Sequence, residues 1–219
     1  MNPAVADLIR ELADDRLFDE GVEAARNACV AGASIASAAI TAAAWYDNPL
    51  TGAPAVAECM ARLSGLTFQV EDWVEALQPR SHPETSDPEF TAGFGFVGSA
   101  QGEAIIAACA RLVQAGDRPG APRGAFFLEH RRAIEAAAGR LNQAGLAALA
   151  FLDCAVERDE AERTFLVCRI ETAIAEAQRA RSRGLSAFPF FGESYAYEGP
   201  RPPERSLDLD ALRRRMGLV

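Results

Sequence analysis

The chain reads as an all-α protein on three observations. Its apolar residues recur at helical spacing, alternating Val-, Ile- and Tyr-rich runs are missing, and its proline-rich breaks are confined to a few stretches. With 219 residues, 49% of them hydrophobic, it can bury one substantial core or two small ones. The first periodic segment carries Val5, Leu8, Ile9 and Leu12, with Asn2 and Pro3 as cap and first-turn residues. Further helices are expected over 18–29, 30–45, 53–63, 70–77, 100–114, 126–143, 146–156, 160–183 and 207–216, and no sheet beyond a hairpin. The stretch 30–46 is alanine-rich and interrupted by Ser34, Ser37 and Thr41. It is slightly short of a membrane span and poor in leucine, so it reads as a helix buried in protein.

Three stretches break the helical pattern. Residues 78–96 carry Pro79, Pro83 and Pro88, residues 116–124 carry Pro119 and Pro122, and residues 185–203 mix four prolines with aromatics. Loops, and with them site residues, are expected there. A small helical subdomain over about 98–156 is expected between two parts of a larger one, 1–97 and 157–219, with a binding cleft between them. The cluster Arg179, Arg181 and Arg183 near a helix end matches the helix dipole.

Composition removes several function classes. The 22 basic residues are all arginine, which excludes a Schiff-base lysine and a P-loop. A net charge of −9 argues against nucleic acid as a partner. The five cysteines lie far apart with no CxxC pair, and no signal peptide is expected ahead of them. Reduced, buried thiols in a cytoplasmic protein are expected, with no metal site. The two histidines are His82, in a proline loop without an evident partner, and His130, on an arginine-rich helix face where solvation is the simpler role.

Three separated segments carry a more specific pattern. Asn48-Pro-Leu-Thr-Gly-Ala53 follows the alanine-rich stretch. Ala92-Gly-Phe-Gly-Phe-Val97 follows the helix-like 70–77. A third region holds Ala150-Phe-Leu-Asp-Cys-Ala-Val156, Cys168-Arg-Ile170 and Tyr197-Glu-Gly-Pro200. In this order they resemble the GPLHGGA, PGFGHRVY, DFYSGAV, SRV and YVGP segments of the citrate synthase and citryl-CoA lyase family. The resemblance covers about residues 30–203. It implies a citrate-synthase-like helical fold with a large and a small domain, and a cleft for an acyl-CoA thioester and a small carboxylic acid. It also implies a helical interface for a homodimer or for a heteromer with a family homologue. Against typical members the chain is N-terminally shortened.

The departures from the family lie at its catalytic positions. The histidine that stabilises the thioester enol corresponds to Thr51, the histidine that polarises the ketone to Phe96, and the aspartate that moves the α-proton to Ala150. Thr51 retains a hydrogen-bond donor, whereas Phe96 and Ala150 can neither give nor take a proton. A positioned base is worth roughly 10²–10⁴ in rate and an oxyanion-type donor roughly 10²–10³. The arginine after GFGH is Val97 here, and the arginine–proline pair before YVGP falls near Gly192 and Glu193. Arg169 matches the SRV arginine, which helps bind the substrate carboxylate; its structural alternative is a pair with Glu171 or Glu176.

Asp153, three residues after Ala150, would lie on nearly the same helical face and is the candidate displaced base, with a capping or surface role as its alternative. Glu103 lies near a helix start, where a carboxylate is favourable without chemistry. Tyr195 and Tyr197 can donate hydrogen bonds or stack on an adenine, or simply pack. The expected catalytic residues are therefore Thr51 and Asp153, and the expected substrate-binding residues are Arg169, Phe96, Gly93, Gly95 and Tyr197. Two functions follow. One is a divergent lyase or acyltransferase acting on or binding a coenzyme A thioester; the other is a non-catalytic subunit that pairs with a complete homologue.

Overall fold

In a computed structural model of the chain, the residues described are 20–79, 91–95, 99–114 and 122–183, and they form eight α-helices. The first two are separated by a turn at the start of the alanine-rich stretch. Helix α1 (Glu20–Val30) stops at the turn through Ala31 and Gly32, and Ser34 then caps α2 (Ile35–Tyr46) by accepting the Ser37 N–H at 3.1 Å. The helix expected over 30–45 therefore begins only at Ile35, because a serine able to satisfy a first-turn amide starts a helix more readily than it continues one.

Helix α3 (Ala53–Leu63) begins on Gly52 with Pro54 in its first turn, where proline's missing N–H costs nothing. The short α4 (Val70–Ala76) buries Trp73, whose indole N–H reaches the Thr67 carbonyl at 3.0 Å. Helices α5 (Ser99–Gln114) and α6 (Pro122–Ala138) follow. Residues 122–124, expected in a loop, are instead the first turn of α6. Pro122 opens that helix rather than breaking one, and Gly139 follows its end.

Helix α7 (Gln143–Asp153) is the most enclosed of the described helices. Its residues from Gln143 to Phe151 are all buried, and Asn142 caps it. Alanine and glycine keep it thin enough for α3, α5 and α6 to surround it. Helix α8 (Arg158–Arg183) closes the described part, with Asp159 and Glu160 in its first turn and Arg181 and Arg183 in its last, both favourable to the helix dipole.

The apolar interior has two clusters. The larger one joins α3 to α8 around Leu63, Trp73, Phe94, Phe127, Leu149, Phe151 and Phe165. The smaller one is made where α1 and α2 meet α8, through Val22, Ala25, Cys29, Ala38, Ala42, Tyr46, Ala173 and Ala177. Among the described residues no sheet forms, and the one extended pairing is an isolated antiparallel bridge between Phe94 and Leu141. The all-α class is as expected. The chain divides into two compact units, Met1–Phe188 and Pro189–Val219; the second, with the expected helix 207–216, lies outside the described residues, as does the expected first helix.

Candidate functional site

The segment 48–53 folds into a turn organised by Asn48. Its Oδ1 accepts the backbone N–H of Leu50 at 2.9 Å and of Thr51 at 2.8 Å, and the Thr51 hydroxyl at 3.4 Å. This fixes Thr51, half-buried, at the start of α3. Gly52 is required by close approach: a Cβ there would lie 2.2 Å from the Tyr46 carbonyl oxygen and 2.7 Å from the Asn48 backbone.

The glycine segment 91–95 is stitched to the connection between α6 and α7. Gly95 N–H donates to the Arg140 carbonyl at 2.6 Å, and Asn142 N–H donates to the Gly93 carbonyl at 3.0 Å, on either side of the Phe94–Leu141 bridge. The Thr91 hydroxyl donates to the Leu77 carbonyl at 2.6 Å. Gly93 has φ +83, and a Cβ on it would meet Gly145 Cα at 2.8 Å and Cys59 Sγ at 2.9 Å. Only glycine satisfies both the left-handed backbone and the contact with α7.

Asn142 connects the two turns. Its Oδ1 accepts the Gly145 N–H at 3.1 Å, capping α7, while its Nδ2 donates to the Leu50 carbonyl at 3.4 Å. Segments around 50, 93 and 142 therefore meet at the N-terminal end of α7. Arg169, on α8, faces the ring of Tyr46, the last residue of α2. It is 1% exposed, with its guanidinium carbon 5.1 Å from the Tyr46 ring centre and 6.0 Å from that of Phe165. Burial pushes its pKa down to about 9, and burial likewise pushes the Tyr46 phenol above its ordinary range. Stacking on two aromatic faces offsets part of the cost of burying this cation.

No protein-family model matches the chain, and no curated protein matches its sequence. The site therefore rests on its own geometry. Asp153 is the last residue of α7, at the end opposite Asn142, roughly 16 Å along the helix axis. Its Oδ1 accepts the Arg123 N–H and its Oδ2 the Gly124 N–H, both at 3.0 Å, so its carboxylate caps the first turn of α6. Burial raises its pKa; the bonds from Gly124 and Arg123 and the Arg123 charge oppose this. Arg123 in turn donates to the carbonyls of Leu63 at 2.8 Å and Ser64 at 3.1 Å, at the C-terminal end of α3. Asp153 and Arg123 thus fasten three helix ends together.

The other expected residues are dispersed. Thr51, Gly93 and Gly95 lie in the two turns joined by Asn142, whereas Phe96, Tyr195, Tyr197 and His82 lie outside the described residues. Glu103 is an exposed carboxylate 3.9 Å from Arg131, a surface pair of little consequence. His130 packs on Phe126 with ring centres 4.5 Å apart. Glu176 pairs with Arg179. All five cysteines are free thiols, and burial pushes Cys59 and Cys109 up to about 12. Among the described residues no cluster of three metal-ligating side chains occurs, and no helix is long and apolar enough to cross a membrane.

A groove of about 550 Å³ runs beside Met60, Ser64, Leu152, Val156, Arg158 and Asp159, and none of the expected site residues lines it. Sequence reasoning misses Asn142, Tyr46 and Arg123. A cap signal is available for Asn142, which precedes an apolar helical run, and Pro122 marks the helix start that brings Arg123 to Asp153.

Proposed function

We propose that the chain is a citrate-synthase-like helical protein that binds a coenzyme A thioester or a small carboxylic acid without performing the carbon–carbon chemistry of that family. The observation that supports it is the meeting of the two glycine-containing turns, with Thr51, Gly93 and Gly95, at the capped end of α7. Segments more than 40 residues apart in sequence, each resembling a family signature, come together there. A base for proton transfer belongs within hydrogen-bond reach of the reacting carbon. Asp153 is committed to α6 at the far end of the same helix. Arg169, buried in an aromatic stack, supports the turn through Tyr46 and reaches a ligand carboxylate only if that stack opens.

The test is a thermal-shift titration of the full chain with free CoA, acetyl-CoA, citrate and oxaloacetate. A ligand specific to the native state adds about 2.7 kcal/mol at a hundredfold excess over its Kd. A shift with a CoA species or a carboxylate, with no turnover, supports the proposal. No shift with any of them refutes it.

A second reading, the non-catalytic subunit, is favoured by α2. That helix carries no charged residue, and Ile40 and Trp45 on it are 70% and 42% exposed. An uncharged face on a chain of net charge −9 is where another helical chain, or a second copy, meets least repulsion. Its mass in solution, measured by light scattering, decides: a monomer at micromolar concentration removes the self-paired form, and failure to associate with a complete family homologue removes the other.

A further inference from the structure

We infer that Asn142 is the positioning residue of the candidate ligand end, holding the 48–52 turn and the 91–95 turn to α7 through one residue. The inference rests on the binding proposal and deepens it by naming the residue that holds its two turns together. Asn142 uses all of its polar groups. Its backbone N–H donates to the Gly93 carbonyl at 3.0 Å, its carbonyl accepts from Leu146 at 3.0 Å, its Oδ1 accepts from Gly145 at 3.1 Å, and its Nδ2 donates to Leu50 at 3.4 Å. It is 3% exposed, so none of these bonds is readily replaced by water. The two side-chain partners also fix the orientation of the amide, since a donor must face the Leu50 carbonyl and an acceptor the Gly145 N–H.

The identity of the residue carries the argument. As a helix cap alone, aspartate or serine serves about as well as asparagine. Only asparagine both caps α7 and donates to a carbonyl on the opposite side. An aspartate here would keep the cap and set a carboxylate oxygen against the Leu50 carbonyl. A serine would keep the cap and lack the second arm. The side chain is therefore chosen for the tie between the turns as well as for the cap. The tie crosses 92 residues of sequence and is the hydrogen bond that sets where Thr51 stands relative to Gly93.

The experiment compares the full-length wild type with Asn142→Asp, Asn142→Ser and Asn142→Ala by hydrogen exchange and by acetyl-CoA titration. The readout is the protection of the Leu50, Thr51 and Gly52 amides against that of the Gly145 and Leu146 amides. In the Asp and Ser variants the first set is expected to exchange about tenfold faster while the second changes little, and in the Ala variant both accelerate. A ligand affinity that falls in the Asp and Ser variants, with Tm nearly unchanged, adds the functional side.

Unchanged protection at 50–52 in both variants overturns the inference. So does a parallel loss in both sets, which would make Asn142 a general stabiliser, or failure of both variants to fold. If wild type binds no acetyl-CoA, the binding proposal fails while the exchange pattern still decides the role of Asn142.

Discussion

Replacing Asp153 by alanine removes two acceptors at once. The side chain accepts the Arg123 and Gly124 amides at 3.0 Å each, so the substitution leaves two first-turn N–H groups of α6 without their partner. Loss of one side-chain cap costs about 0.5–2 kcal/mol, and hydrogen bonds to a charged acceptor are worth about 1.5–3 kcal/mol each. Against this, the burial that raises the Asp153 pKa is a penalty that the variant escapes. The balance is a loss of about 2–3 kcal/mol. For a chain of this size that corresponds to about 4–12 °C in Tm. Urea unfolding at neutral pH should show a lower midpoint with an unchanged slope. The Asp153→Asn variant keeps one acceptor oxygen and should fall about midway. A loss below about 0.5 kcal/mol in the alanine variant, within the range of ordinary surface substitutions, would refute the capping role and return Asp153 to the candidate bases.

Three further outcomes are expected. Because the folded pKa of Asp153 is raised, its contribution to stability is fully present below the unfolded value near 3.9 and is lost as pH rises through the folded value. The stability of wild type minus that of Asp153→Asn should therefore decrease as pH rises above about 4 in parallel urea titrations; an increase would show the pKa to be lowered. Gly93→Ala should cost about 2–5 kcal/mol, combining a left-handed φ with contacts under 3 Å to Gly145 and Cys59. Gly65→Ala, with open space around its Cβ, should stay within about 0.5 kcal/mol, and equal effects in the two melts would count against the packing at Gly93. Arg169→Lys should lose about 1–2 kcal/mol, because a compact, strongly hydrated ammonium is costlier to bury against the Tyr46 and Phe165 rings than a guanidinium; a melt equal to wild type would show that these ring contacts are unimportant.

The helices are legible in the sequence because amphipathic periodicity is a local property. The range 53–63 agrees to the residue, and 70–77 and 160–183 agree to within two. The boundaries that differ are those decided by caps. Ser34 is visible in the sequence as a polar interruption, yet its effect depends on the turn before it. Pro122 has the look of a breaker, whereas Asp153, 30 residues from Arg123, supplies the acceptors that let α6 begin there. The same physics limits the reading of the site. The helical face shared by Ala150 and Asp153 is a matter of spacing, but the group that claims the Asp153 carboxylate comes from another helix. Thr51, Gly93 and Gly95 stand out as fragments, and the residue that unites them, Asn142, is legible only as a cap, because its second arm reaches across 92 positions.

The two apolar clusters also set a timetable for synthesis. When α7 leaves the ribosome its neighbours α3, α5 and α6 have already emerged, so it can be enclosed almost as soon as it forms. The pair α1 and α2 has no such help. Its inner face, around Ala25, Ala38 and Tyr46, is covered by Ala173 and Ala177 of α8, the last described helix to be made. The first described helices translated are thus the last to be shielded, and a nascent chain halted before α8 presents an alanine-rich, uncharged surface open to chaperones and to other nascent copies.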